Sequence, residues 1–378
     1  MLGTFLDWTV GTALPFWAER GFDAGAARFR ERLDFAGRPV AVPHRAMVQA
    51  RQIFVFAEAA RFGWLPDGAA LAEAAMASLL RDFAEDSGDE TSVAFSIDPA
   101  SGAILSSLRD AYAHAFLLFS IASLYRLNGD ARLLDRADRI INFVERRLAD
   151  PAHGGLFDAI PAPSEKRQNP HMHLLEAYLF LDEAAPGRGY IERAAALVDL
   201  FRRHFFQDGL LHEYFAPDWS PSPRAEWEPG HHFEWVWLLA EYGARTGDDV
   251  GASARALYAS AKMHGLAVDG LILDALSPDF AVIRSSRRLW PHAEAIKAAA
   301  ARKDSDPDAR AFAEAMATKL MDHFLGQPFA GGWIDHVAAD GAPLVDYVPA
   351  SSLYHLVLAA GVAAKDFAAA PALAKAVS

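Results

Sequence analysis

Apolar residues recur at three- and four-residue spacing in twelve stretches, near 4–20, 43–62, 67–84, 108–128, 130–149, 170–183, 187–206, 230–246, 249–266, 290–302, 306–324 and 350–363. That period marks one face of a helix, so the pattern predicts twelve helices, with a short Ala-rich candidate at 366–377. The connections alternate in length. Turns such as WLPD (64–67), NGD (128–130), PG (186–187) and TGDD (246–249) are tight, whereas 21–42, 85–107, 150–169, 207–229, 267–289 and 325–349 are long. Loops of that length are uncommon inside compact domains and are usually functional. Long and short connections in alternation predict helical hairpins whose long loops all emerge at one end. Twelve helices paired in this way close into a ring, an inner layer inside an outer one. The expected fold is therefore all-α, an (α/α)6 barrel over residues 1–378 as one domain. Some long loops hold short strands, for instance SVAFSIDPASGAIL (92–105), turning at Asp98–Gly102.

A second periodicity supports the ring. Arg51, Tyr112, His173, His231, His292 and His355 each fall in the first turns of a helix that follows a long loop, at spacings of 61, 61, 58, 61 and 63 residues. Residues at matching heights on inner helices converge at one mouth. Proline marks five of those six starts, at Pro43, Pro170, Pro229, Pro291 and Pro349, where a missing N–H is no loss. The helix beginning near Leu108 departs from this pattern. Asn169, before Pro170, suits an N-cap.

Composition narrows the chemistry. The chain has no cysteine, which removes thiol nucleophiles, Cys zinc sites, iron–sulfur clusters and disulfides. Its formal net charge of −13 opposes non-specific attraction to nucleic acid or anionic membranes. The first residues carry Asp7 and no positive leader, and no run of 18 apolar residues occurs. These features fit a soluble, cytoplasmic protein with a small-molecule partner.

The convergent set is Arg51, Tyr112, Asn169, His173, His231, Glu234, Trp290, Glu294 and His355. Histidines beside carboxylates suit proton transfer near neutral pH. An arginine can stabilise an oxyanion or enediolate, and a tryptophan can stack on the apolar face of a sugar. The inventory fits carbon-acid chemistry next to a carbonyl. Each residue also has a plainer role available: a helix-start histidine usually caps or packs, Trp290 can be core, and His231 with Glu234 can be a surface pair on one helix face. No HExxH, nucleotide-binding loop or GxSxG elbow is present. His171/His173 and His231/His232 lack the spacing that puts two ligands on one helix face, so no metal or cofactor is expected. Glu234 and Glu294 could serve a glycosidase, but that leaves the histidines without a task.

At these residues the sequence resembles the N-acylglucosamine 2-epimerase superfamily. The matching strings are QARQIF (49–54), YAHAF (112–116), NPHMHLLEAYL (169–179), PGHHFEWVWLL (229–239), RLWPHAEAIKA (288–298) and DGAPLVDYVPASSLYHL (340–356). The resemblance implies the same barrel and a metal-free isomerase or epimerase. His231 and His355 match the histidines that exchange protons with the substrate, and Arg51 the arginine beside the enediolate. Asn169, His173 and Glu234 match groups that bind hydroxyls and orient the reacting pair; Trp290 and Tyr112 match the pocket lining. The ending PASSLYHL with HHFEW resembles the mannose isomerase and mannose-6-phosphate isomerase-like branch. Disaccharide 2-epimerases tend to carry tryptophan where this chain has Ser351–Tyr354. A D-mannose/D-fructose isomerase is the resulting expectation, with a 2-epimerase or an isomerase of a 6-substituted sugar as alternatives, and a glycosidase or a non-catalytic sugar-binding barrel behind them. Lys166, Arg167, Arg224, Arg284, Arg287 and Arg288 lie in long loops, where they could meet a phosphate or sulfonate.

Overall fold

In the computed structural model, which describes residues 1–367, the predicted helices form in the predicted order. Leu2–Trp8, Thr9–Ala13 and Leu14–Arg20 run on as α1, with a π-helical middle. Then come α2 (Ala46–Arg61), α3 (Gly68–Asp82), α4 (Ala111–Asn128), α5 (Ala131–Phe143) and α6 (Asn169–Ala184). The chain continues through α7 (Tyr190–Leu200), α8 (Pro229–Thr246), α9 (Gly251–His264), α10 (Trp290–Arg302), α11 (Ala309–His323) and α12 (Leu353–Asp366). The Ala-rich candidate at 366–377 lies, beyond Phe367, outside the described residues.

The even-numbered helices pack side by side into a closed inner ring, α12 returning to α2, and the odd-numbered helices pack around them. Sequence explains the sorting. From Ala111 to Leu124, α4 is buried at every residue except Tyr112, as a helix apolar on all sides must be. By contrast α5 (ARLLDRADRIINF) buries only a stripe of Leu133, Leu134, Ala137, Ile140, Ile141 and Phe143. Short turns join inner to outer helices; Gly129 and Gly247, both left-handed, end α4 and α8. Among the described residues no helix is long and apolar enough to cross a membrane.

All six long loops lead from an outer helix to the start of an inner one, so they gather at one end. Their short strands do more than form local hairpins. Neighbouring loops pair with each other around the mouth: Arg32–Asp34 with Tyr347–Pro349, His44–Arg45 with Ser96–Ile97, and Arg109–Asp110 with Ala159–Ile160. Lys166–Arg167 with Tyr214–Phe215, a bridge from Trp227 to Leu276, and Arg287–Arg288 with His336–Val337 complete the circuit. The hairpin expected at 92–105 forms as Ser96–Ile97 against Ile104–Ser106.

A repeated latch ties five of the six long loops to the inner ring. In His114, His171, His232 and His292, Nδ1 meets the carbonyl four residues back, at 2.7, 3.0, 3.3 and 3.1 Å. Nε2 accepts the amide N–H of Val93, Leu156, Leu211 or Ile272 at 3.1, 2.8, 3.3 and 3.0 Å. Only the neutral Nδ1–H tautomer satisfies both bonds. On α2, Gln49 does the same work against the backbone of Phe29. His292 is therefore a latch and does not join the convergent set at the mouth. Two further expectations are corrected. Pro170, Pro229 and Pro291 do open α6, α8 and α10, but Pro43 and Pro349 precede their helices in extended chain. Asn169 is the first residue of α6, not its cap; its amide turns into the central cavity.

Candidate active site

A cavity of ≈ 340 Å³ opens at the loop end of the inner ring. Arg51, Tyr112, Asn169, His173, His231, Glu234, Trp290 and His355 all stand on its wall. Glu294 does not; it lies fully buried behind His355. Helical register does the gathering. Each of these residues sits in the first turns of an inner helix, whose N-terminus faces the mouth. The loops add Glu213, Glu228, Arg288, Asp335 and Ser351.

Trp290 stands between the two candidate catalytic histidines, its ring 5.0 Å from that of His231 and 5.4 Å from that of His355. Gly230 makes room for it, since a Cβ there would come within 2.5 Å of the indole.

The two histidines have opposite electrostatics. Nδ1 of His231 lies 2.9 Å from Glu213 Oε2, with Glu228 Oε2 at 3.7 Å. Burial, the largest single influence, would depress its pKa, but the charge and hydrogen bond of Glu213, with Glu228 and Glu234, together outweigh it, and the pKa is pushed up to about 9. Glu213 is itself held by Gln168 Nε2 at 2.9 Å and the Glu228 amide at 3.3 Å. His231 is thus an imidazolium at neutral pH. Both its nitrogens then donate, so the Asn169 amide at 3.3 Å must present its carbonyl oxygen to Nε2. His355 is the opposite case. Nδ1 donates to Glu294 Oε1 at 2.6 Å, which leaves Nε2 with its lone pair for the cavity. Burial first, then Arg51, Lys297 and His173, hold its pKa well below the usual range. It is neutral.

Of the carboxylates near His231, Glu213 does most to set its charge, ahead of Glu228 and Glu234. Burial, reinforced by the nearby Glu294 carboxylate, pushes the Glu234 pKa well up, and its Oε1 has no hydrogen-bond partner. His173 is kept neutral by burial, its pKa near 4, although its Nδ1 donates to Glu176 at 3.0 Å. The Tyr354 hydroxyl bonds the same carboxylate at 2.7 Å. Arg51, only 5% exposed, donates to the Tyr112 hydroxyl and, at 3.2 Å, to the Ser351 carbonyl. Its guanidinium lies 4.2 Å from the Phe116 ring centre, and its buried Nε has no partner.

Two buried trios, His173–Glu176–Glu234 and Glu234–Glu294–His355, bring ligand-type atoms within 4.8 Å of one another. One positive charge already stands among them. Lys297 Nζ sits 2.7 Å from Glu294 and 4.0 Å from Glu176, supplying the positive charge a metal ion would otherwise bring.

The loop cations are all engaged. Arg288 bridges Glu228 (2.7 Å) and Asp274 (2.9 Å), and Arg284 bridges Glu226 (2.9 Å) and Glu228 (3.1 Å). Arg167 holds Asp158 at 2.5 Å, Arg224 holds Glu226 at 3.2 Å, and Arg287 holds Asp269 at 3.2 Å. Lys166 is a buried residue on Asp150 at 2.6 Å. The wall therefore offers a cationic acid, a neutral base and polar groups around a stacking surface. That combination can give a proton from one side of the cavity and accept one at the other.

Sequence reasoning missed Glu213, Glu176 and Lys297. Glu176 lies three residues beyond His173, the interval that singled out Glu234 after His231. Glu213 had no such signal, because only the pairing of its loop with Lys166–Arg167 brings it under His231.

The family model for N-acylglucosamine 2-epimerase matches residues 28–359. A mannose-6-phosphate isomerase of Rhizobium meliloti (strain 1021) is 32% identical over 372 residues, covering 94% of this chain and 95% of that protein. A D-mannose isomerase of Thermobifida fusca is 31% identical over 332 residues, 78% of this chain and 79% of the relative. Among solved structures, a D-mannose isomerase superposes with a TM-score of 0.87 at 19% identity, covering 96% of this chain and 97% of the other.

Proposed function

This chain belongs to the N-acylglucosamine 2-epimerase family, and from that premise we propose that it is an aldose–ketose isomerase interconverting D-mannose and D-fructose through a cis-enediol. The observation that carries the reading is a pair of histidines on one cavity wall, His231 against Glu213 and His355 against Glu294, whose surroundings push their pKa values in opposite directions. Enzymes that run acid and base chemistry together separate two pKa values by environment in this way.

In the proposed reaction the open-chain aldose stacks on Trp290. Neutral His355 Nε2 takes the C2 proton, and the C–H electron pair becomes the C1–C2 double bond. The carbonyl electrons move to O1, which takes a proton from the His231 imidazolium while Arg51 steadies the developing enediolate. His355 then returns a proton to C1, O2 gives its proton to His231, and the ketose forms with both histidines reset. Tyr112, Asn169, His173 and Glu234 bind hydroxyls, and Glu294 orients His355. Delivery of the proton to the opposite face of C2 would give the epimer instead.

The pairing of every loop cation named above with a carboxylate supports a free sugar over a 6-phosphate, because a phosphate would have to displace Glu228, Glu226 or Asp158. The Rhizobium meliloti relative's name supports the phosphorylated alternative. Proton NMR of EDTA-treated enzyme in D2O separates the readings. Fructose signals growing from D-mannose meet the proposal. Glucose appearing first makes the protein a 2-epimerase, and conversion of mannose 6-phosphate alone overturns the free-sugar reading.

A further inference from the structure

Lys297 is a lysine with no access to water. It sits one turn below Glu294 on α10, in the interior of the inner ring, and its side chain is 0% exposed. Three buried carboxylates surround it: Glu294 Oε2 at 2.7 Å, Glu176 Oε1 at 4.0 Å, and Glu234. The Trp237 ring centre lies 4.3 Å from Nζ and forms another wall of its site. A buried ammonium is costly without anionic partners, and a buried carboxylate without a cation takes up a proton. The approach to Glu294 is a charge contact, since neither Nζ nor Oε2 has a directed hydrogen bond. The other oxygen of that same Glu294 accepts from His355 Nδ1 at 2.6 Å.

We propose that Lys297 is a positioning residue for proton transfer: its ammonium keeps Glu294 ionised, and ionised Glu294 fixes His355 in the tautomer whose Nε2 lone pair faces the substrate. The inference rests on the isomerase reading above. Burial already pushes the Glu294 pKa up and Lys297 is the main influence holding it down, so with Lys297 neutral Glu294 would protonate. A carboxylic acid can donate to Nδ1, and the imidazole proton then moves to Nε2. The ring would stay in place with its basic atom capped. The charged and titratable groups facing this cluster are Arg51 from α2, His173 and Glu176 from α6, His231 and Glu234 from α8, and Tyr354 and His355 from α12. Lys297 is the cation among them that contacts Glu294, so its loss is not made up by a neighbour.

The test compares Lys297→Met, Glu294→Gln and the double variant, each checked for folding by circular dichroism. At pH 7 Lys297→Met is expected to lose roughly 10²-fold or more in kcat with KM little changed, the scale of a general base. Its pH profile gains a rising limb at alkaline pH, where Glu294 ionises again, and 15N NMR of histidine-labelled protein shows His355 carrying its proton on Nε2. Adding Lys297→Met to Glu294→Gln changes kcat by less than about threefold, because the lysine acts through that carboxylate. Wild-type kcat and pH profile in a folded Lys297→Met protein overturn the proposal, as does an unchanged His355 tautomer. If Lys297→Met does not fold, Glu294→Gln against the double variant decides it: multiplied losses overturn the proposal, equal losses support it. A wild-type enzyme inert towards both D-mannose and mannose 6-phosphate would instead sink the isomerase reading, and the NMR tautomer would still test the positioning role.

Discussion

Replacing Glu213 by Gln isolates the charge that makes His231 an acid. Glutamine keeps the size of the side chain and can still accept from Nδ1–H, but it removes the carboxylate 2.9 Å away. The His231 pKa of about 9 lies some 2.5 units above the ordinary 6.5, equivalent to about 3 kcal/mol in favour of the imidazolium. Without Glu213, burial pulls the pKa back to ~6.5 or lower. At pH 8 the wild-type ring is then ~90% charged and the variant ring ~3%, a loss of ~30-fold in kcat/KM. At pH 5.5 the two differ less than about twofold from this cause. The assay is the pH profile of kcat/KM for the mannose–fructose reaction. The wild type should fall off near pH 9, and Glu213→Gln near 6.5 or below. Stability follows the same linkage. A raised folded-state pKa contributes stability that is full below pH 6.5 and is lost as pH rises through about 9. Glu213→Gln should flatten that decline in urea titrations. An alkaline limb still near pH 9 in the variant would refute the reasoning.

Other outcomes follow from the same structure. Gly230→Ala puts a Cβ 2.5 Å from the Trp290 indole; kcat/KM should fall at least about tenfold, with shifted tryptophan fluorescence, while the helix itself tolerates alanine. The neutral buried histidines set acid stability. His114, His171, His173 and His292 are pushed down to about 4 and His232 to about 3, chiefly by burial. Stability they contribute is present above pH 6.5 and lost as pH falls towards 4, each costing up to about 3 kcal/mol. His171→Ala strips the partner from the Leu156 amide; at pH 7.5 it should destabilise by about 1–3 kcal/mol and reduce acid-linked proton uptake by about one.

The barrel was legible because its signal is long-range and redundant: alternating loop lengths and a repeat near 61 residues both require paired helices in a ring. The site was legible where helix register carries it, as for Arg51, His173, His231 and His355. Register misled at His292. Residues two apart on a helix face different ways, so in His171/His173 and His292/Glu294 the first turns outward to latch a loop and the second turns inward, His173 to the cavity wall and Glu294 behind His355. One position apart, His232 latches and His231 faces the cavity. An imidazole looks identical in sequence in either role. Glu213 was beyond reach because no helical period links it to His231; strand pairing between two loops does.

The account stands most directly on His355 taking the C2 proton. D-mannose incubated in D2O with folded His355→Ala and His231→Ala proteins, followed by loss of the C2–H resonance, measures that step without requiring turnover. The prediction is that His355→Ala exchanges no C2 hydrogen at any pH, whereas His231→Ala exchanges slowly without releasing fructose. Wild-type exchange in His355→Ala would contradict it.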